Sequence, residues 1–207
     1  MLLRRNLLAL LATATLTAAC GSAESAQRSS PPSPEPTPAA AKIEVGYFAG
    51  GCFWGVEHFL EALPGVIDVE SGYMGGASES PTYDEVSTGA SGHAEAVRVT
   101  YDPAKITYEA VARRFFEIHD PTEVDRQGPD IGHQYRSAVF VTGPEQRAVI
   151  DRLIGQLRTN GYAVATEVEE AGPFWLAEAY HQDYYERTHK VPYCHAPVPR
   201  FDGPQAP

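Results

Sequence analysis

The sequence predicts a two-layer α+β domain with a mixed sheet, built on a split βαβ core of the ferredoxin-like kind. The main observation is element order, because the first six predicted elements run strand, helix, strand, strand, helix, strand. A further helix and strand follow and extend this core. Glycine and proline pairs separate the periodic segments, so each segment has the length of a single strand or helix.

The first elements are recognised by hydrophobic period and by the residues that end them. Residues 43–49 form a predicted strand that a Gly-Gly pair ends. Apolar residues recur at helical spacing over 53–63, and a Pro-Gly pair stops that helix. A second strand is predicted at 66–73, and residues 77–92 are a predicted polar loop.

The later elements follow from the same two periods, alternation for strands and helical spacing for helices. Strands are predicted at residues 95–101, 136–141 and 163–168. Helices are predicted at residues 107–119, 144–157 and 174–188. The final segment, which carries Cys194, has neither period, and we expect an irregular tail.

Residues 1–19 have the layout of an export signal. Two arginines precede an apolar run that is too short to span a bilayer, and small residues follow it. The residues before Cys20 resemble the cleavage box of a bacterial lipoprotein, although Thr17 stands where a bulky aliphatic residue is commoner. We expect Cys20 to be lipidated, which would anchor an exported protein facing the periplasm or cell exterior. An ordinary secretory signal is the alternative.

Residues 20–41 are predicted to be an extended tether. Five prolines fall between positions 31 and 38, and few residues there are apolar. The remaining residues, 42–200, have the length of one domain. Net charge is −11, and removal of residues 1–19 makes it −13. Because the sequence has no basic patch, we expect the protein to bind neither nucleic acid nor anionic lipid directly. We also expect a monomer.

Cysteine usage points to redox chemistry. Of three cysteines, Cys52 and Cys194 remain if Cys20 carries lipid, and they can form one disulfide, permanent or transient. The sequence has no C-x-x-C pair, so a structural zinc site has little support. A metal cluster of Cys194, His195 and His189 is a weaker alternative. We expect no metal or organic cofactor.

Cys52 lies where the first strand turns into the first helix. The free backbone N–H groups and the positive dipole end of a helix N-terminus stabilise a thiolate, so we expect a lowered pKa and a reactive sulfur. The alternative is a small residue packed beneath the helix.

Other candidate groups are less distinctive. Glu95 begins an otherwise apolar strand, where a desolvated carboxyl would stay neutral and donate a proton; a solvated glutamate on an edge strand is the alternative. Tyr83 and Tyr135 lie near turns and can present phenols to a site, although the chain has 11 tyrosines. By spacing alone Asp130 is a turn residue.

Six motifs, in this order along the chain, resemble those of the A-type peptide methionine sulfoxide reductases. They are Gly50-Gly51-Cys52-Phe53-Trp54-Gly55, Ser71-Gly72-Tyr73-Met74-Gly75-Gly76, Gly92-His93-Ala94-Glu95-Ala96-Val97, Tyr101-Asp102-Pro103, His119-Asp120-Pro121-Thr122 and Gln134-Tyr135-Arg136-Ser137. The resemblance covers about residues 45–194, nearly the whole predicted domain.

The resemblance implies a role for each matched residue. Cys52 is the implied nucleophile, and Phe53 and Trp54 are the implied walls around the substrate methyl group. Glu95 is the implied acid on the sulfoxide oxygen. Three residues are implied to support that oxygen site: Tyr83, Tyr135 and Asp130.

Cys194 is the implied resolving cysteine. Many family members have another cysteine later in the tail, or one three residues after the nucleophile, where this chain has Gly55. The resemblance therefore implies reduction of free and peptide-bound methionine (S)-sulfoxide through a Cys52 sulfenic acid and a Cys52–Cys194 disulfide, recycled by a thioredoxin-like protein. A thiol peroxidase and an inactive lipid-anchored scaffold remain as alternatives.

Overall fold

The computed structural model describes residues 42–203. The predicted export signal at 1–19, the lipidation site Cys20 and the tether up to residue 41 lie outside the described residues, and these boundaries stay predictions. Within 42–203, no helix is both long and apolar enough to cross a membrane.

Six strands form one mixed sheet. They are β1 (Glu44–Gly50), β2 (Val66–Met74), β3 (Ala94–Tyr101), β6 (Ser137–Val141), β7 (Glu167–Glu170) and β8 (Trp175–Leu176). The order across the sheet is β7-β6-β1-β3-β2-β8, and only the β6–β7 pair is parallel among these neighbours. The four central strands, β6-β1-β3-β2, have the order of a split βαβ core, so the predicted fold class is confirmed. A separate hairpin consists of β4 (Arg126–Gln127) and β5 (Asp130–Ile131).

Five helices complete the domain. They are α1 (Phe53–Glu61), α2 (Tyr83–Ser87), α3 (Tyr108–Ile118), α4 (Pro144–Thr159) and α5 (Tyr184–Thr188), with a 3-10 turn at His133–Tyr135. The apolar stripes of α1, α3 and α4 are buried with the large side chains of the sheet in the main core. The opposite sheet face carries mainly alanines, which form a smaller buried cluster with Met74 and Phe140, and Phe174 packs against this cluster.

Three predicted elements differ from the structure. The polar loop 77–92 contains α2, whose start is a capping box in which Thr82 and Glu85 exchange hydrogen bonds. The strand predicted at 163–168 begins only at Glu167, because the backbone N–H of Ala165 donates to Pro121 at 2.8 Å instead of joining the sheet.

The predicted helix 174–188 is wrong over most of its length. Trp175–Leu176 pairs with β2 as β8, and only Tyr184–Thr188 is helical. The Gln182 amide explains the break, since it donates to the Ser71 and Ala177 carbonyls at 2.9 and 3.0 Å. These contacts satisfy backbone groups outside a helix, and helical periodicity cannot reveal them.

Candidate active site

Cys52 occupies the junction between β1 and α1. Gly51, just before it, has φ +94°, and a Cβ there would lie 2.5 Å from the Gln127 Cβ, so only glycine fits. The Gln127 amide in turn binds the Asp120 backbone at both its N–H (2.9 Å) and its carbonyl (3.1 Å). The chain is therefore held in a tight turn that places Cys52 immediately before the first helical residue.

Glu95 enters the same junction from β3. Its carboxyl is 3% exposed and accepts a 3.1 Å hydrogen bond from the Phe53 N–H. Burial raises its pKa to about 8, against the opposing effect of that N–H. The carboxyl is thus protonated at neutral pH, as predicted, and the alternative of a solvated edge-strand glutamate is wrong because β3 lies between β1 and β2.

The C-terminal tail brings the second thiol to the first. Both cysteines are free, and their sulfurs and an Asp130 carboxylate oxygen all lie within 4.8 Å of one another. Asp130 accepts hydrogen bonds from the Tyr193 hydroxyl at 3.1 and 3.2 Å, so the residue before Cys194 binds the hairpin beside the nucleophile. The structure thus shows the reduced pair already assembled.

The two cysteine sulfurs share a hydrogen bond, and their pKa values are shifted in opposite directions. The hydrogen bond with Cys194, burial and the nearby Glu95 raise the pKa of Cys52, and only the Trp54 backbone N–H opposes them. The pKa of Cys194 is lowered to about 6, first by the hydrogen bond from Cys52 and then by that of His195. The expectation of a lowered Cys52 pKa is therefore wrong for this reduced state, because burial and the shared proton outweigh the helix N-terminus.

His195 is a buried neighbour of both cysteines. Its Nδ1 lies 3.0 Å from the Cys194 sulfur and its Nε2 lies 2.7 Å from the Gly50 carbonyl oxygen. The sequence suggested His195 only as a metal ligand, although its position directly after Cys194 was an available signal of a role beside the thiol. The alternative metal cluster is not assembled: among the described residues, His189 belongs to neither group of closely placed ligand atoms.

Phe53 and Trp54 provide apolar surface at the junction. Phe53 is buried, whereas Trp54 is half-buried and stacks on Tyr184 at a centroid distance of 3.7 Å. The Trp54 indole N–H donates to His181 Nδ1 at 3.1 Å. His181 and Tyr184 were not predicted as site residues, and no sequence pattern singles them out.

Tyr83 and Tyr135 approach Glu95 from two separate loops. Tyr83 begins α2, and its backbone N–H donates to Glu178 at 2.9 Å. Tyr135 ends the 3-10 turn, which the buried guanidinium of Arg136 holds by donating to the His133 carbonyl at 3.3 Å. For each phenol, burial is the largest cause of a raised pKa and Glu95 the second. The structure therefore brings both tyrosines into the electrostatic range of the predicted acid.

Known proteins share this arrangement over most of the chain. A profile of the family described as "Peptide methionine sulfoxide reductase" matches residues 44–203. The chain is 48% identical over 148 residues to "Peptide methionine sulfoxide reductase MsrA" of Methanoculleus marisnigri, covering 70% of this chain and 90% of that protein.

Solved structures agree with the sequence relatives. Mxr1 of Saccharomyces cerevisiae in reduced form has a TM-score of 0.70 and 31% identity, covering 81% of this chain and 95% of that one. Mxr1 in complex with Trx2 has a TM-score of 0.52 and 25% identity, covering 77% and 92%. From the family match and these relatives, the chain belongs to the peptide methionine sulfoxide reductase A family.

Proposed function

We propose that this protein reduces the S epimer of methionine sulfoxide, free or within peptides, to methionine. One observation carries the proposal: the buried Glu95 carboxyl accepts a hydrogen bond from the N–H of Phe53, the residue directly after Cys52. Burial raises the pKa of this carboxyl to about 8, which favours its protonated form at neutral pH. A sulfoxide sulfur is a poor electrophile until its oxygen accepts a proton, and this junction supplies both acid and nucleophile. The names of the relatives support the same activity.

In the first half-reaction the sulfoxide would displace the contact between the two thiols. The shared proton moves onto Cys194, and the Cys52 thiolate attacks the sulfoxide sulfur as Glu95 protonates its oxygen. This attack forms a sulfur–sulfur bond between Cys52 and the substrate. The oxygen then moves with its proton to the Cys52 sulfur, while the sulfur–sulfur bond and the sulfur–oxygen bond of the substrate break. Methionine leaves reduced by two electrons, and Cys52 is oxidised by two electrons to a sulfenic acid. We assign the methyl group to the surface of Phe53 and Trp54, and the oxygen to Tyr83 and Tyr135.

Asp130 is assigned a supporting role at the edge of this site. Its carboxylate binds the Tyr193 hydroxyl, and it lies within 4.8 Å of both sulfurs. It therefore supports the tail that carries Cys194, and its charge also reaches the groups assigned to the oxygen site, which are Glu95, Tyr83 and Tyr135.

In the second half-reaction Cys194 closes a disulfide with Cys52, and a thioredoxin-like protein reduces that disulfide. The proximity of the two sulfurs supports closure without a large movement of the tail. The Saccharomyces relative in complex with Trx2 supports a thioredoxin partner. An exported form would require reducing electrons carried across the membrane, since surroundings outside the cytoplasm favour disulfides.

A stereospecific assay tests the activity. Purified protein with excess dithiothreitol should consume the S epimer of N-acetyl-methionine sulfoxide and leave the R epimer unchanged. If the S epimer stays intact under ample reductant, the proposed function is wrong. Turnover with hydrogen peroxide in the same buffer should be far lower, and the reverse ranking would favour a thiol peroxidase.

We also propose that residues 1–19 direct export and that Cys20 is lipidated. The apolar run, the small residues before Cys20 and the proline-rich segment after it support this assignment. In a bacterial host, wild-type protein should fractionate with membranes and incorporate a labelled fatty acid. Cys20→Ala should lose both properties while Cys194→Ser keeps them; equal labelling of Cys20→Ala would contradict lipidation. The expected monomer can be checked by sedimentation of residues 42–207.

A further inference from the structure

We propose that His195 is the base that deprotonates Cys194 and then returns that proton to the oxygen leaving Cys52, during closure of the Cys52–Cys194 disulfide. This inference rests on the proposed function, because it concerns the second half-reaction of the same site. Disulfide closure would then use His195 for proton transfer, whereas sulfoxide reduction uses Glu95.

The hydrogen bonds of the imidazole define which nitrogen acts. A carbonyl oxygen can only accept, so the 2.7 Å contact with Gly50 requires the proton to be on Nε2. Nδ1 of the neutral ring therefore offers its lone pair to the Cys194 sulfur, 3.0 Å away. The residue is 5% exposed, and water has little access to compete for this contact. Once Cys52 is oxidised and no longer donates a hydrogen bond to Cys194, a neutral ring held in this orientation can accept the Cys194 proton at Nδ1.

The space for this ring exists because position 55 is glycine. A Cβ at Gly55 would lie 2.1 Å from His195 Nδ1, and its backbone is helical, a conformation open to every residue. Glycine inside a helix is less stable than alanine at the same position. Gly55 is therefore explained by the imidazole beside it and not by a backbone requirement.

The surrounding groups leave His195 as the available base for Cys194. Four other titratable side chains lie around Cys194 and His195: Cys52 just before α1, Glu95 on β3, Asp130 on β5 and His119 just after α3. The phenols of Tyr185 and Tyr193 are also nearby. Glu95 holds a proton, and burial lowers the pKa of His119 to about 3. His119 Nδ1 and Nε2 are also engaged by Phe115 and Ser137. Asp130 binds Tyr193.

The step balances without an added reagent. Nδ1 takes the Cys194 proton, and the resulting thiolate attacks the Cys52 sulfur. The sulfur–sulfur bond forms while the sulfur–oxygen bond of the sulfenic acid breaks, and the imidazolium proton converts the departing hydroxide to water. Cys194 sulfur is oxidised and Cys52 sulfur is reduced by the same amount. The enzyme then awaits its dithiol partner.

The test separates closure from methionine release. One equivalent of hydrogen peroxide oxidises the thiol pair, and dimedone trapping with peptide mapping in a parallel sample identifies the fraction in which Cys52 carries the sulfenic acid. Loss of free thiols in that fraction then follows closure across pH. His195→Gln keeps the bulk of the side chain without a base, and His189→Gln makes the same change at an exposed position of the same tail. Single-turnover release of methionine is measured in parallel.

We expect His195→Gln to slow closure about 100-fold at pH 7. The midpoint of its pH profile should move upward toward that of an ordinary thiol, near ~8.5. Methionine release should slow much less than closure, since in the first step Cys194 and not His195 takes the Cys52 proton. His189→Gln should match the wild type.

Closure at the wild-type rate, or slower closure with an unmoved pH midpoint, would overturn the base role, the second result indicating positioning alone. In the Cys52→Ser background, His195→Gln should also raise the midpoint for alkylation of Cys194 by iodoacetamide, and an equal midpoint would overturn the inference. Neither thiol measurement needs sulfoxide reduction, so failure of the proposed function would appear separately as absent methionine release.

Discussion

The two reactive sulfurs lie in regions of opposite character. Cys52 joins a strand to a helix, and its neighbours are ordered by backbone hydrogen bonds of β1 and α1. Cys194 lies beyond Thr188, where the described chain has no further helix or strand. That tail is fixed by separate contacts, such as the Val198 N–H to the Glu117 carbonyl at 2.8 Å, and by the buried Phe201 ring. One sulfur is placed by local structure and the other by distant contacts.

The two sulfurs also differ in the direction of their pKa shifts. Cys52 has the Trp54 N–H at a helix N-terminus, but burial and the shared proton raise its pKa. The pKa of Cys194 falls to about 6, first through its hydrogen bond with Cys52 and then through that with His195. A helix N-terminus alone therefore does not decide the charge of a buried thiol. What decides it is the partner with which the thiol shares its proton.

Removal of the sulfur at the β1–α1 junction should have the largest effect. Cys52→Ser leaves no group able to accept the substrate oxygen as a sulfenic acid, so we expect sulfoxide reduction to fall by ~10⁴-fold or more. The measurement is methionine formed under excess dithiothreitol, with circular dichroism as the control for folding. Substantial residual turnover would show that another sulfur is the nucleophile.

Removal of the sulfur on the tail should abolish recycling and leave the yield of the first half-reaction intact. Cys194→Ser should still form one methionine per protein molecule in a rapid-quench experiment, because Glu95 and the junction are retained. Multiple turnover with thioredoxin should be lost, since no disulfide can form. If thioredoxin sustained wild-type turnover, the contrast between a nucleophilic and a resolving sulfur would be wrong.

Glu95→Gln should slow methionine release in a single turnover by about 100-fold, through loss of general-acid assistance. Disulfide closure after peroxide oxidation should be much less affected, which would keep the two regions chemically distinct. An unchanged release rate would indicate that Tyr83 and Tyr135 suffice to activate the oxygen.

The pH dependence of methionine release follows from the same carboxyl. The acid is effective only while protonated, and its pKa is raised to about 8. Single-turnover release limited by this proton should therefore decline as pH rises through 8, and Glu95→Gln should lack that decline. A wild-type rate that stays level to pH 10 would contradict the assignment.

The smallest effect concerns Glu57, a buried carboxyl on α1 that lies outside the proposed site. Burial raises the pKa of Glu57 to about 8 from an ordinary value of 4.5. The folded state thus keeps a proton that the unfolded chain releases, and the stabilisation present below pH 4.5 is lost as pH rises through 8. Urea unfolding should show Glu57→Gln losing less stability than wild type between pH 5 and pH 8. Equal losses would mean that Glu57 is ionised in the folded state.

Local sequence was sufficient for the core and for one side of the site. Alternation and helical spacing encode which face of a segment is buried, and they predicted the six elements of the core. The same patterns placed Cys52 at a strand–helix junction, but they left open whether Glu95 is buried or solvated. The motifs in this region indicated the family, and the resemblance implied the acid role of Glu95.

The rest depended on the folded chain. His195 and Gly50 are 145 positions apart in sequence, yet their hydrogen bond orients the imidazole beside Cys194. Likewise, Gln182 contacts Ser71 across 111 positions and interrupts the helix that periodicity predicted. Short-range patterns report burial and nearby backbone bonding, whereas these polar contacts exist only after the core has brought distant segments together. The position of the resolving thiol, the proton it shares and its histidine partner were therefore determined by tertiary structure.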